Sequence, residues 1–396
     1  MTKLQVPGFR AAGVHCGIKP AGRDLALIVS DGPASVAGVF TQSAVPGAPV
    51  VLSRERVRSG VARGVVVNSG IANVAVGARG RRDAHGMARS AALAVGGAPT
   101  SMLVASTGVI GEPLPMPRVR SGIRAAAAAL ARDGFADASE AILTTDTRPK
   151  TARVRARIGG ALVTVAGIAK GAGMIQPNMA TMLAFLVTDA DVAPAQLRRV
   201  LREATEVSFN RLTVDGETST SDSALLFAGG AAGNSSLRTP RSPGAARFLD
   251  AVTEVSSELA QALARDGEGA TKLVTVRVEG ARSAAEAERA ARCVANSVLV
   301  KTAIFGGDPN WGRILQTVGA ADVALRLERT EVKLAGVVVF RHGASAGPAA
   351  RRRAEARMGA PEIEIGVRLG AGRAAARVWT CDLSYDYVRI NAEYTS

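Results

Sequence analysis

Between Lys170 and Asp189 the chain reads KGAGMIQPNMATMLAFLVTD, a Gly- and Pro-containing loop that runs into an apolar strand and places Thr181 at its first position. A threonine hydroxyl is a weak nucleophile until a base takes its proton, and an N-terminal threonine can use its own amine. An α-amine titrates near ~7.7–8.0, whereas a peptide nitrogen offers no basic lone pair. Cleavage between Ala180 and Thr181 would create that base. The same hydroxyl could perform the cut by attacking the Ala180 carbonyl. From the pattern alone, a β-branched residue that merely opens a strand is the more ordinary reading.

Other segments carry matching equipment. In STGVIG (106–111), Thr107 supplies a hydroxyl and Gly108 an unshielded backbone N–H, the pair needed to hold negative charge on a tetrahedral intermediate; a strand-to-turn Thr-Gly pair reads the same way. Lys170 can meet a carboxylate by charge, in a chain that otherwise uses arginine for most of its positive charge. Glu268, between two glycines in DGEGATK, can reach an ammonium group, although solvated loop acids are the norm. Thr144, Thr145 and Asp146 in TTDTRPK have the composition of a turn.

These residues need a scaffold, and the hydrophobic periodicity supplies one of mixed class, α/β with mixed sheets (α+β). DLALIVSD, ASVAGVF and GVVVNSG read as strands and RDAHGMARSAALAVGG as a helix. RVRSGIRAAAAALARDG (118–134) predicts a helix stopped by Gly134, and 152–171 a hairpin turning at Gly159 and Gly160. Residues 182–187 predict a strand buried on both faces, and SDSALLFAGGAAG a strand with a glycine turn. PAQLRRVLREATEVSF and GAARFLDAVTEVSSELAQALARDG predict amphipathic helices. Beyond residue 271, TKLVTVRVEG, SVLVKTAIFG, VALRLE, VKLAGVVVF, IEIGVRL and AAARVWTCDL read as strands around the helix SAAEAERAARCVA, with a smaller α/β unit expected near 281–385.

Composition narrows the function classes. With 396 residues and 47% hydrophobic content the chain is too apolar for a disordered polymer. No run approaches the ~20 apolar residues of a membrane span, and no basic-then-apolar leader opens the sequence, so a cytoplasmic protein is expected. Cys16, Cys293 and Cys381, and His15, His85 and His342, are scattered, which predicts no metal site. The net charge of +15 raises nucleic acid as a partner. Its arginines, however, recur singly through Ala-rich stretches without interleaved aromatics, the densest run being Arg351–Arg353, so no nucleic-acid partner is expected.

KGAGMIQPNMATMLAF resembles the processing segment of the ornithine acetyltransferase (ArgJ) family of arginine biosynthesis. Seven further blocks follow the family order: GFRAAGVHCGIK, STGVIG, TTDTRPK, FNRLTVDGETSTSD, DGEGATK, SVLVKTAIFGGDPNWGRI and YVRINAEYTS. The resemblance implies a layered fold with an N-terminal-nucleophile threonine and self-cleavage into an α-chain (1–180) and a β-chain (181–396). By the same resemblance Thr181 is the nucleophile freed from Ala180, Thr107 and Gly108 form the oxyanion hole, and Thr147, Lys170, Thr181, Glu268, Asn391 and Ser396 bind substrate. GGDPNWGR, with Trp311 and Arg313, and NRLTVDGETSTSD resemble family hallmarks without a role that the sequence assigns.

The implied reaction moves acetyl from N-acetylornithine to glutamate through an acetyl-threonine, with acetyl-coenzyme A as a second donor in bifunctional members. No metal or bound cofactor is implied, and the assembly implied is a two-plus-two heterotetramer. The chain departs from the family pattern at Ile71 and Ser221, where Asn is usual, and at Ala172, where Ser is common. These departures bear on whether it serves primary arginine synthesis or a specialised pathway. A hydrolase with the same autoprocessed nucleophile (an aminopeptidase or amidohydrolase of related fold) and a noncatalytic basic nucleic-acid binder are the competing readings.

Overall fold

A computed structural model of the chain describes residues 4–176 and 182–393. Ala180, Thr181 and Ser396 lie outside the described residues.

The first sheet contains β1 (Phe9–Val14), β2 (Leu25–Phe40), β3 (Val61–Ile71), β4 (Met102–Val109), β5 (Lys150–Ile158), β6 (Ala161–Lys170), β7 (Leu183–Thr188) and β8 (Ser223–Ala228). The spatial order is β4-β3-β2-β8-β7-β6-β5, with β1 also on β2. The two segments that read as separate strands at 24–31 and 34–40 form the single strand β2. Its register on β3 shifts between Val29 and Ala34, and its second half pairs with β8 through Ser35–Phe40. This break lets one strand serve two halves of the sheet, because an irregularity bends and twists a strand locally.

Alternation along the strands shows how the halves stack. In β7, Ala184 and Leu186 enter one core with α5 (Pro194–Val207) and α6 (Ala245–Arg265), while Leu183, Phe185 and Val187 enter another. In that second core they meet Val65 and Val67 of β3 and Phe135 of α4 (Phe135–Ala141). Val66 points the other way, toward α2 (Gly77–Ala94) and α3 (Met116–Ala128), while α1 (Ala48–Arg56) packs at β4. Two strand layers thus face each other between two helix layers, which is why β7 is buried on both faces.

The hairpin β5-β6 closes at Gly159 and Gly160, with Ile158 opposite Ala161. The predicted stop at Gly134 is corrected: α3 ends at Ala128, and Gly134 instead precedes α4. A Cβ at Gly134 would lie 1.9 Å from the Ala11 carbonyl oxygen, so close backbone approach accounts for the glycine.

A second sheet contains β9 (Leu273–Ala281), β10 (Glu331–Leu334), β11 (Val337–Arg341), β12 (Ala344–Ser345), β13 (Glu362–Arg368) and β14 (Ala374–Cys381), in the order β12-β11-β10-β13-β9-β14. It has its own core with α7 (Ala284–Asn296), α8 (Val298–Phe305), α9 (Trp311–Gly319) and α10 (Pro348–Glu355). The apolar run 297–306, read as a strand, is α8. Ser297 caps it by accepting from the Val300 N–H at 3.3 Å, and a cap of this kind decides a short apolar run that periodicity leaves open. VALRLE forms no strand either; a single 3-10 turn at Leu327–Arg329 overlaps its end. The C-terminal segment forms α11 (Tyr385–Glu393), and no helix among the described residues is long and apolar enough to cross a membrane.

Candidate active site

Three strand ends meet at one edge of the first sheet. Lys170 closes β6 opposite Leu183, the first residue of β7, and Leu183 lies beside Ser223, the first residue of β8. The end of β4 contributes Thr107 and Gly108. Together they border a cavity of about 110 Å³ whose walls include Thr107, Gly108, Thr144, Lys170, Met182, Asp222, Glu268 and Asn391. The structure therefore brings together five of the residues singled out in the sequence: Thr107, Gly108, Lys170, Glu268 and Asn391. Met182 is joined to Thr181 by a peptide bond, so the cavity borders the attachment point of the expected nucleophile.

Lys170 is 8% exposed, and its ammonium donates to the Thr144 hydroxyl at 2.7 Å and the Thr107 hydroxyl at 3.3 Å. Burial lowers its pKa from the ordinary lysine value, opposed by Asp146 and reinforced by Lys150. By accepting from an ammonium, Thr107 keeps its own O–H free to donate elsewhere, as an oxyanion donor must.

Beneath Lys170 lies a buried ionic network. Asp146 is bonded by Lys150, accepts from the Gly171 N–H at 2.6 Å and lies 3.8 Å from the Lys170 ammonium. Burial raises the Asp146 carboxyl, but Lys170, Lys150 and the Gly171 N–H outweigh it and hold the group down at about 2. Lys150 also donates to Asp266 at 2.5 Å. The Thr147 N–H donates to the same Asp266 carboxylate at 3.0 Å, and the Thr147 hydroxyl is bonded to it too. Thr147 is thus in the supporting network and is absent from the cavity wall, where Thr144 and Thr145 stand instead.

Glu268 is placed by its backbone N–H, which donates to the Ala172 carbonyl at 2.8 Å, and by Asn391 of α11, whose amide donates to its carboxylate at 2.8 Å. Asp382 anchors the rest of this loop by accepting from the Thr271 and Lys272 N–H groups at 2.8 and 3.0 Å. Lysine and carboxylate thus face one small cavity, complementary to the two charges of an amino acid.

The segment 209–222, which carried no assigned role, supplies both wall and support. Asp215 accepts from the Met174 and Ile175 N–H groups at 2.6 and 2.8 Å, fixing the loop that leaves β6. Ser219, Thr220, Ser221 and Asp222 line the cavity, so one family departure, Ser221, faces its contents. The signal that could have singled out this stretch was its density of hydroxyls ending in an acid immediately before an apolar strand. Trp311 and Arg313 lie elsewhere: Trp311 stacks near Phe340 at 5.1 Å, and Arg313 donates to the Leu299 carbonyl at 2.7 Å. Among the described residues, no group of three or more His, Cys, Asp or Glu side chains is arranged to hold a metal ion.

Comparisons with known proteins agree over nearly the full length. An arginine biosynthesis bifunctional protein ArgJ from Symbiobacterium thermophilum is 51% identical over 395 residues, covering 98% of this chain and 96% of that one. The protein of the same name from Geobacter sulfurreducens is 50% identical over 392 residues, covering 99% and 100%. A crystal structure of arginine biosynthesis bifunctional protein ArgJ from Bacillus halodurans superposes with a TM-score of 0.52 at 41% identity, covering 54% of this chain and 100% of that one. With the model of the ArgJ family matching residues 10–396, the chain belongs to the ArgJ family.

Proposed function

We propose that the chain cuts itself between Ala180 and Thr181 into an α-chain (1–180) and a β-chain (181–396), and that Thr181 then carries acetyl from N-acetylornithine to glutamate. The observation that carries this reading is the cavity at the start of β7, where Thr107, Gly108, Lys170, Glu268 and Asn391 converge beside Met182. The whole Bacillus halodurans chain aligns with 54% of this one, a share close to that of residues 181–396, which lends support to the cut.

In this mechanism Lys170, with Thr144, receives the substrate carboxylate, and Glu268, steadied by Asn391, receives the side-chain ammonium of N-acetylornithine. The Thr181 hydroxyl gives its proton to the Thr181 amine and attacks the acetyl carbonyl. Thr107 and the Gly108 N–H stabilise the oxyanion, ornithine leaves as its nitrogen takes up a proton, and an acetyl ester remains. Glutamate then enters with its carboxylate on Lys170 and takes the acetyl group. Thr147 supports the site through Asp266, while Ser396 belongs to the substrate pocket by family resemblance. The reaction as written needs no metal or bound cofactor. Acetyl-coenzyme A is a second donor, as the relatives' bifunctional name suggests, and the cut chains assemble as a two-plus-two tetramer.

The test is to trap the intermediate. After brief incubation with labelled N-acetylornithine alone, label is expected on the peptide beginning at Thr181, and unlabelled glutamate should discharge it. Transfer at full rate with no labelled peptide at any time would contradict the covalent route.

A further inference from the structure

Asp222 immediately precedes β8, and the N–H of the next residue, Ser223, donates to the Met182 carbonyl at 3.0 Å. It therefore flanks the start of β7 on one side as Lys170 does on the other. Asp222 lines the cavity yet is only 2% exposed, and its Oδ2 has no hydrogen-bond partner among the described residues. An ionised carboxylate left in that state would be far more costly than a neutral acid. Burial accordingly pushes its pKa well above the usual carboxylate range, against the Ser219 hydroxyl, the Lys170 ammonium and the Ser219 N–H.

The acetyl-transfer mechanism has a step that such a group serves. An amide nitrogen leaves poorly unless it is protonated as its bond to carbon breaks, and beside the Thr181 amine, which has taken the hydroxyl proton and can hand it on, a neutral Asp222 is a second donor. We propose that Asp222 donates a proton to the amine that departs from the acetyl group and accepts one from the amine that enters, an inference that rests on the acetyl-transfer reading above.

The protons balance over both half-reactions. As the threonine oxygen bonds to the acetyl carbon and the C–N bond breaks, the Asp222 proton goes to the leaving nitrogen. The acetyl-enzyme then holds an Asp222 carboxylate and a Thr181 ammonium. When the glutamate amine attacks, its proton goes to Asp222, and the ammonium returns its own to the departing threonine oxygen. Lys170 on β6 favours the transient carboxylate by charge, and the Glu268 carboxylate, on the loop after α6, lines the same cavity.

A leaving group that needs no proton separates this role from a structural one. Acetyl loading of the cleaved enzyme and its Asp222→Asn variant is measured with N-acetylornithine and with p-nitrophenyl acetate, whose phenolate departs unassisted. The ratio of amide to ester loading rate is expected to fall about 10²- to 10⁴-fold in the variant, and an unchanged ratio would overturn the inference. Should the variant stay uncut or misfold, the wild-type pH profile decides. Loading from the amide must decline as Asp222 ionises with rising pH while loading from the ester does not, and identical profiles would also overturn it. A wild-type enzyme that accepts acetyl from the ester but never from N-acetylornithine would refute the substrate assignment first, and the Asp222 role with it.

Discussion

Replacing Lys150 with methionine tests whether the ionic network supports the site. Lys150 is 2% exposed, its ammonium is bonded to Asp146, and it donates to Asp266 at 2.5 Å. Removing it strands two buried carboxylates, and breaking a buried pair costs about 3–5 kcal/mol. Both acids keep other partners, the Gly171 N–H on Asp146 and the Thr147 N–H on Asp266, which sets the expectation near the lower end, ~3 kcal/mol. For a chain of 396 residues that corresponds to a fall in melting temperature of roughly 4 °C.

The pH dependence has a definite sign. In the wild type the Asp146 pKa is depressed to about 2, so its stabilising contribution is present above the ordinary carboxylate value and is lost as pH falls toward about 2. In the variant, burial loses one of its opponents and the pKa moves up. Less of that contribution is then left to lose, so the gap between the proteins is full around pH 7.5 and narrower around pH 3, where the wild type has begun to lose it. Urea unfolding at both pH values measures it, with acetyl transfer falling in parallel because Asp146 also fixes Gly171 and Lys170. A variant within ~1 kcal/mol of wild type near neutrality, or a gap that widens on acidification, would refute the reasoning.

Substituting Thr107 with valine removes the proposed oxyanion hydroxyl at nearly constant shape, and the turnover number should fall about 10²- to 10³-fold with little change in melting temperature. A Cβ on Gly173 would lie 2.4 Å from the Glu268 carboxylate, so Gly173→Ala should displace that acid and raise the KM for N-acetylornithine by about tenfold, which is ~1.4 kcal/mol of lost binding; steady-state kinetics read this directly. Deleting the last six residues removes Asn391 and Ser396 and should abolish transfer while leaving self-cleavage intact, as activity assay and denaturing gel would show.

Local pattern made much of the scaffold legible. The β5-β6 hairpin, the doubly buried β7 and the helices α5 to α7 follow from periodicity and glycine placement, and each corresponds to a run long or regular enough to read. Segments whose conformation depends on caps were harder. GGDPNWGR looks like a loop, yet Asn310 accepts from the Arg313 N–H at 3.1 Å and starts α9. Lys301 in α8 is buried because it reaches the Thr380 hydroxyl at 3.0 Å on a distant strand, a contact invisible in a strand-like apolar run. At the site, Lys170 and Glu268 stand out by residue type and glycine neighbours. Asp222 and Thr144 gain their meaning only when β6, β7 and β8 align, since burial beside another strand's end is a tertiary property.

The claim on which the rest stands is that the peptide bond before Thr181 breaks so that its nitrogen becomes a free amine. Intact-mass measurement on purified, denatured protein, alongside Thr181→Ala, addresses this most directly. Two species meeting between Ala180 and Thr181 are expected for the wild type and one uncut chain for the variant. A wild-type chain that stays whole while transferring acetyl at full rate would contradict the account.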